Sequence, residues 1–468
     1  MDSFTFVIFG ITSNLAQIKL IPALYQMAEK GLLPPDFQII GSARRKLTRE
    51  EFENYINNSL QAKSSKLQIK KEILENLIDK MQYLSGNLDD PYFYSQLKQQ
   101  IEHQNIIFYL ATYPELYDLI FEYLNRVGLN KQQNGWIRLM IEKPIGTNLV
   151  SAQKLNQLLA KYFSEDQIFR LDHYLGKETI QNILAFRFGN EIFEPLINNK
   201  FVDHIQITSA EDFGIGKRGS YFDKVGALKD VGQNHLLQML AFATMDAPQE
   251  FSNRAVTDAR IKILKTLKPI PSKVVFGQYQ GYLKEGNVNS KSRTDTFFAF
   301  KTSIENEKFK DVPIYIRAGK KLKQTITEIV IVFKKAENRL LKHNEPNILI
   351  YRIQPNEGIV LKILTKKPGH KIELQPDFMQ FCYHLNPNNP YFPDPYEKLL
   401  IDTIRGDQTF FNDAQEVEAQ WSFIDPLAAT STTPHRYKPG TWGPKEADEL
   451  IERDGRKWLE PSMDFCRI

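Results

Sequence analysis

A chain of 468 residues exceeds the size at which one hydrophobic core keeps growing, so at least two domains are expected. Hydrophobic residues at 42% and charged residues at 25% exclude a disordered or fibrous chain and allow a sizeable core. The net charge of +4, with no long basic run interleaved with aromatics, argues against a nucleic-acid partner, and no apolar run approaches membrane-spanning length.

Phe4-Thr5-Phe6-Val7-Ile8-Phe9 is β-branched, aromatic and apolar, and reads as a strand without a basic leader before it, so no export signal is expected. Gly10 breaks it, and Leu15 to Lys30 has helical spacing; strand, turn and helix in that order open a dinucleotide-binding unit. Further strands are expected at residues 37–41, 81–84, 106–110 and 137–142, with a helix at 48–60 whose Thr48 and Glu51 form a capping-box pattern. This alternation implies a parallel sheet covered on both faces.

After Phe188 the pattern changes. Strands of alternating polarity are expected at 201–208, 296–302, 312–317, 327–333, 347–353 and 359–364, the last two joined by a turn at Asn356-Glu357-Gly358. The fold class is therefore α/β plus α+β. An N-terminal Rossmann-like domain, residues 1–172, precedes a C-terminal domain, residues 173–468, with a large antiparallel sheet covered by helices. Cys382 and Cys466 are too few and too distant in sequence to suggest a disulfide framework or a zinc site, and a reducing cytoplasm fits.

Chemistry concentrates at the expected domain boundary, in Arg170-Leu171-Asp172-His173-Tyr174-Leu175-Gly176-Lys177-Glu178. On a helix, His173 and Lys177 share a face and suit a phosphate dianion, leaving Asp172 free for another task. The alternative is that Asp172 caps a helix over 176–188 and its neighbours are solvated. Residues 230–245 are apolar nearly all round, which predicts a buried helix carrying His235 indoors, as a base or as a satisfied core histidine. At the end of the second strand, Ser42-Ala43-Arg44-Arg45 offers no carboxylate for a ribose hydroxyl and two arginines for a 2′-phosphate, which favours NADP over NAD.

The run RLDHYLGKE resembles the signature of the glucose-6-phosphate dehydrogenase family. Similar matches are Glu142-Lys143-Pro144-Ile145-Gly146, Ala210-Glu211-Asp212-Phe213-Gly214, Gly226 to Gln238, Ile316-Arg317-Ala318-Gly319-Lys320, Arg405-Gly406-Asp407-Gln408 and Trp442-Gly443-Pro444, spread over the whole chain. The resemblance implies oxidation of glucose 6-phosphate to 6-phosphogluconolactone with hydride transfer to NADP, without a metal, in a cytoplasmic homodimer or homotetramer.

It makes His235 the general base and Asp172 the acceptor for its other ring nitrogen. His173, Tyr174, Lys177 and Lys320 are matched to the substrate phosphate, Glu211 and Asp230 to sugar hydroxyls, and Lys143 to both ligands. Gly10, Thr12, Ser13, Asn14, Leu15, Lys19, Arg44, Ala111, Thr112 and Pro114 are matched to the cofactor pocket. The chain departs from the family pattern at Ser13, usually glycine, at Asn14, usually aspartate, at Tyr113, commonly proline, and at Thr325, often a cation. Ser13 is expected to keep dinucleotide binding, and Thr325 to weaken the hold on substrate phosphate unless Lys321 or Lys323 substitutes. Two alternatives are a cofactor-binding regulatory protein without turnover and a dehydrogenase of another sugar.

Overall fold

The computed structural model describes residues 2–61, 68–132, 134–335, 345–385, 391–430 and 432–466. The chain divides into two compact units. The first comprises Met1–Gly146, Val150–Gly176 and Pro393–Ala414, and the second Thr147–Leu149, Lys177–Phe392 and Gln415–Ile468.

The first unit is built on six parallel strands: β1 (Phe4–Phe9), β2 (Phe37–Ala43), β3 (Met81–Ser85), β4 (Ile106–Leu110), β5 (Ile137–Ile141) and β6 (Ile168–Arg170). Their spatial order is β3-β2-β1-β4-β5-β6, the doubly wound dinucleotide-binding order. Every residue of β1 and β4 is buried, as expected of central strands covered on both faces. The capping box predicted at 48–60 forms around the helix Arg49–Gln61: Thr48 N–H donates to Glu51 Oε2 at 2.8 Å and Glu51 N–H to Thr48 Oγ1 at 3.2 Å. Pro393–Ala414 belongs to this unit because the helix Pro395–Arg405 places Tyr396, Leu399, Leu400 and Ile404 in its hydrophobic core.

The second unit carries β7 (Val202–Ala210), β8 (Leu267–Lys268), β9 (Val274–Tyr279), β10 (Phe297–Ile304), β11 (Ile314–Gly319), β12 (Ile326–Phe333), β13 (Ile348–Gln354), β14 (Gly358–Lys366), β15 (Leu374–Cys382) and β16 (His435–Tyr437). They form a ten-stranded sheet in the order β15-β14-β13-β12-β7-β11-β10-β9-β16, with β8 paired to β10. The sheet is mainly antiparallel, as expected, but mixed: β7 and β11 run parallel, as do β9 and β16. Helices Glu178–Phe188 and Leu237–Thr244 pack within the same unit.

One expectation is overturned. Cys382 and Cys466 form a disulfide, their Cα atoms 5.3 Å apart across a sequence separation of 84. Separation along the chain says nothing of proximity here, because residues 457–466 return across β12 to β15. Among the described residues no helix is long and apolar enough to cross a membrane.

Candidate active site

In the first unit the sequence-predicted residues collect where the parallel strands end. Gly10, Thr12, Ser13, Asn14, Leu15 and Lys19 follow β1; Arg44 follows β2; Ala111, Thr112 and Pro114 follow β4; Lys143 follows β5; Asp172, His173 and Tyr174 follow β6. The carboxyl edge of such a sheet, on either side of the β1/β4 reversal, is where ligands bind. Gly10 is needed for its backbone. Its φ is +86°, and a Cβ there would lie 2.6 Å from the Ala111 carbonyl oxygen and 3.3 Å from Thr112 Cγ2. The turn after β1 and the segment after β4 thus approach each other so closely that only glycine fits at position 10.

Ser13 is absent from the left-handed residues, so serine in place of glycine costs no backbone strain. Its Oγ accepts from Ala16 N–H at 3.2 Å and starts the helical turns that follow, while the hydroxyl proton stays available to a ligand. Those turns, Ala16–Leu20, are of the wide π type, which recurs at functional sites. Lys19 lies 5.7 Å above the Tyr396 ring. Arg44 is exposed at the end of β2.

The boundary segment is a turn before the helix Glu178–Phe188, so the expected helix start at 176 falls two residues later. Asp172 is buried, and its Oδ1 accepts from Tyr174 N–H at 2.9 Å, an Asx turn rather than a cap on that helix. The rings of His173 and Tyr174 meet edge to face at 5.0 Å. Gly176 lets this turn approach its neighbour, since a Cβ there would sit 2.6 Å from the Pro395 carbonyl oxygen. Glu142, beside Lys143, is a buried carboxyl that accepts from Tyr109 OH at 2.5 Å and Tyr396 OH at 3.0 Å. Burial pushes its pKa up, against the two phenol hydrogen bonds and nearby Lys143.

In the second unit, Glu211 and Lys320 follow β7 and β11, the parallel pair, and Glu211 N–H donates to the Gly319 carbonyl at 3.0 Å. Their side chains form an ion pair, with Lys320 buried. Asp230 and His235 lie on a second stretch of π-type turns, Leu228–Leu236, continued by the helix Leu237–Thr244 in place of one regular helix. Both are buried, and Asp230 pairs with Arg218 at 3.2 Å. Gln233 donates to Gln420 Oε1 at 3.2 Å and Gln238 to Glu416 Oε1 at 3.1 Å, while Arg260 grips both Glu416 oxygens at 2.7 and 3.0 Å. The segment bearing His235 is thereby clamped on both sides of the imidazole. Lys177 is the residue preceding the helix Glu178–Phe188, and its carbonyl accepts from Ile180 and Gln181 N–H. A cavity of about 210 Å³ lined by Gln278, Lys291, Arg293 and Arg436 contains none of these residues.

Comparison with known proteins covers nearly the whole chain. The family model for the glucose-6-phosphate dehydrogenase NAD binding domain matches residues 7–182, and that for the glucose-6-phosphate dehydrogenase C-terminal domain matches residues 184–459. The chain belongs to the glucose-6-phosphate dehydrogenase family. It is 39% identical to the glucose-6-phosphate 1-dehydrogenase of Buchnera aphidicola subsp. Schizaphis graminum, over 97% of each chain. Among solved structures it resembles the glucose-6-phosphate 1-dehydrogenase of Mycobacterium avium, 31% identical, with a TM-score of 0.90 over 98% of this chain and 99% of that one. A glucose-6-phosphate dehydrogenase solved in complex with its substrate glucose-6-phosphate gives 32% identity and a TM-score of 0.91, covering 98% of each chain.

Against the glucose-6-phosphate dehydrogenase pattern, Thr325 is engaged locally. Its hydroxyl donates to Asp212 Oδ1 at 2.5 Å and accepts from Asp212 N–H at 3.1 Å. Lys321 faces Glu285 at 3.7 Å and Lys323 pairs with Glu460, so both candidate substitutes are held by carboxylates. Sequence reasoning missed Glu142, Arg218, Arg260 and Glu416. Only Glu142 had a signal, its place beside Lys143 in a matched motif; the others act on residues 12 to 178 positions away.

Proposed function

We propose that this glucose-6-phosphate dehydrogenase family member oxidises glucose 6-phosphate to 6-phosphogluconolactone with NADP as acceptor, opening the oxidative pentose phosphate route. The observation that carries the reading is a buried imidazole, His235, on a clamped π-type segment in the same unit as the Lys320–Glu211 pair. An ordinary imidazole, with a pKa of about 6.5, is largely a free base at neutral pH. His235 takes the proton of the C1 hydroxyl. Asp172 accepts from its second ring nitrogen, fixing the tautomer and stabilising the imidazolium. Lys320, Lys177, His173 and Tyr174 hold the phosphate, and Glu211 and Asp230 accept from sugar hydroxyls. Glu211 turns from Lys320 to substrate as the lysine takes the phosphate. Lys143 serves both ligands.

The glycine turn at Gly10, packed against the segment after β4, receives the pyrophosphate, and Arg44 with Arg45 supplies charge for a 2′-phosphate. When bound, NADP accepts the hydride. The protein acts in the cytoplasm as a homodimer or homotetramer. The exposed apolar residues Phe378, Met379 and Phe381 of β15 support self-association through the sheet.

The test is absorbance at the NADPH band. Reduction is expected with glucose 6-phosphate and to be weak with glucose, which leaves the phosphate seat empty. Equal rates with both sugars, or none with either, would overturn the reading.

A further inference from the structure

Residues 457–466 form a strap over one face of the ten-stranded sheet. Its members alternate with those facing the helices: Tyr351 meets Phe186 of the helix Glu178–Phe188, whereas Ile348, Ile350 and Arg352 point the other way. Leu459 and Phe465 pack there against Val330, Val332, Ile348, Ile350 and Val360. Polar contacts fasten the strap along its length. Leu459 N–H donates to Gln206 at 2.9 Å, Arg352 donates to the Ser462 carbonyl at 2.9 Å, and Cys466 N–H donates to Gln380 at 3.2 Å. At its far end Cys466 is bonded to Cys382 of β15. Gly358 admits that bond, since a Cβ there would lie 2.7 Å from Cys466 Sγ.

The strap also grips the loop after β11. Glu460 pairs with Lys323 and accepts from Trp442 Nε1 at 3.1 Å, and the Pro461 carbonyl accepts from Gln324 at 3.0 Å. Arg317, on β11 just before Lys320, is sandwiched between Trp442 and Trp458, 4.9 and 4.4 Å from the ring centres. One covalent bond therefore anchors a segment that grips Lys323 and Gln324, three and four residues beyond Lys320.

We propose that Cys382–Cys466 is a redox modification site by which a dithiol reductant loosens the loop bearing Lys320. A persistent disulfide is unusual in a reducing compartment, where those found are mostly redox-sensing, so the pair has regulatory meaning in the cytoplasmic reading above. One thiolate of the dithiol attacks a sulfur of the pair and expels the other as thiolate. The second thiolate of the reductant then closes its own disulfide, and two electrons and two protons pass to Cys382 and Cys466. Both residues are buried, so attack follows local opening of the strap. That keeps monothiols slow and favours a dithiol, whose mixed disulfide resolves within one molecule. The substrate consequence rests on the proposed function, with Lys320 holding the phosphate.

The experiment compares the intact protein, oxidised with glutathione disulfide or reduced with dithiothreitol, with Cys466→Ser. Thiol titration establishes the state, and hydrogen exchange reports on residues 320–325 and 459–466. Reduction is expected to speed exchange in both segments at least tenfold and to raise KM for glucose 6-phosphate severalfold, leaving KM for NADP unchanged. Cys466→Ser behaves as the reduced protein under either condition. Two free thiols after oxidation, or unchanged exchange at 320–325 after verified reduction, would overturn the proposal. Faster exchange without glucose 6-phosphate turnover in either state would uphold the redox link and sink the assigned reaction instead.

Discussion

The two units make their candidate sites from different materials. The first relies mainly on backbone and surface: a glycine at φ +86°, loops after five strands, and an exposed arginine, with Asp172 as its buried site carboxylate. The second uses buried charge: Arg260 with Glu416, Arg352 with Glu328, and Lys320 with Glu211. A dinucleotide is long and mostly held through phosphates, which backbone amides and surface cations serve well. A hexose presents hydroxyls that differ only in direction, so its site needs side chains fixed by partners. Binding energy is therefore expected to be spread thinly in the first unit and concentrated in the second.

The strongest way to break that contrast is His235→Asn. Removing a general base costs about 10²- to 10⁴-fold in rate, so kcat should fall by that order while the dissociation constant for NADP stays put. Near-normal kcat, measured at saturating substrate, would dissolve the second site. Arg44→Ala comes next. A charged hydrogen bond is worth about 1.5–3 kcal/mol, so KM for NADP should rise roughly tenfold to a hundredfold with NAD unaffected. Equal losses with both cofactors would remove the 2′-phosphate assignment.

Thr325→Lys is a smaller gain of function. The threonine hydroxyl is tied to Asp212, and Lys321 and Lys323 each face a carboxylate, so neither of these lysines stands in for the cation the family often has at this position. A lysine at 325 should lower KM for glucose 6-phosphate a few-fold, as expected for one partly exposed ionic contact of about 1 kcal/mol. An unchanged KM would mean the phosphate is fully held without it.

What the sequence disclosed follows the same division. β1 and β4 were legible because central parallel strands are apolar on both faces, and the loop residues lay in motifs beside them. β9 and β15 were not: Gly277 interrupts the first, and Pro376 with Asp377 interrupts the second, which an edge position tolerates. The π-type turns were invisible too, since Leu228–Leu236 mixes polar residues with leucine and valine and carries no marker that distinguishes one helical pitch from another. The clamp on the His235 segment joins Gln238 to Glu416 and Glu416 to Arg260 across long stretches of chain, as the disulfide does for Cys382 and Cys466. Local patterns report local structure; none of these is local.

The smallest expected effect tests whether buried charge in the second unit is arranged rather than merely enclosed. Asp295 Oδ2 accepts from Leu228 N–H at 2.8 Å, and its carbonyl accepts from Ala227 N–H at 2.9 Å, at the start of the segment carrying His235. Gly226, at φ +77°, lies so close that a Cβ would stand 2.1 Å from Asp295 Oδ1. Burial pushes this carboxyl up to about 6, against the backbone N–H bonds and Lys229 that favour its charged form. An acid raised in the folded state contributes stability below its unfolded pKa and loses it as pH rises through the folded one. The loss from Asp295 should therefore run from about pH 4 to a little above 6. Asp295→Asn keeps an oxygen for Leu228 and cannot ionise, so its Tm relative to the parent protein should climb across that window, by less for each kcal/mol than in a small domain. Parallel Tm curves for the two proteins between pH 4 and 7.5 would mean that the carboxylate is solvated, and that the second unit tolerates this charge without holding it.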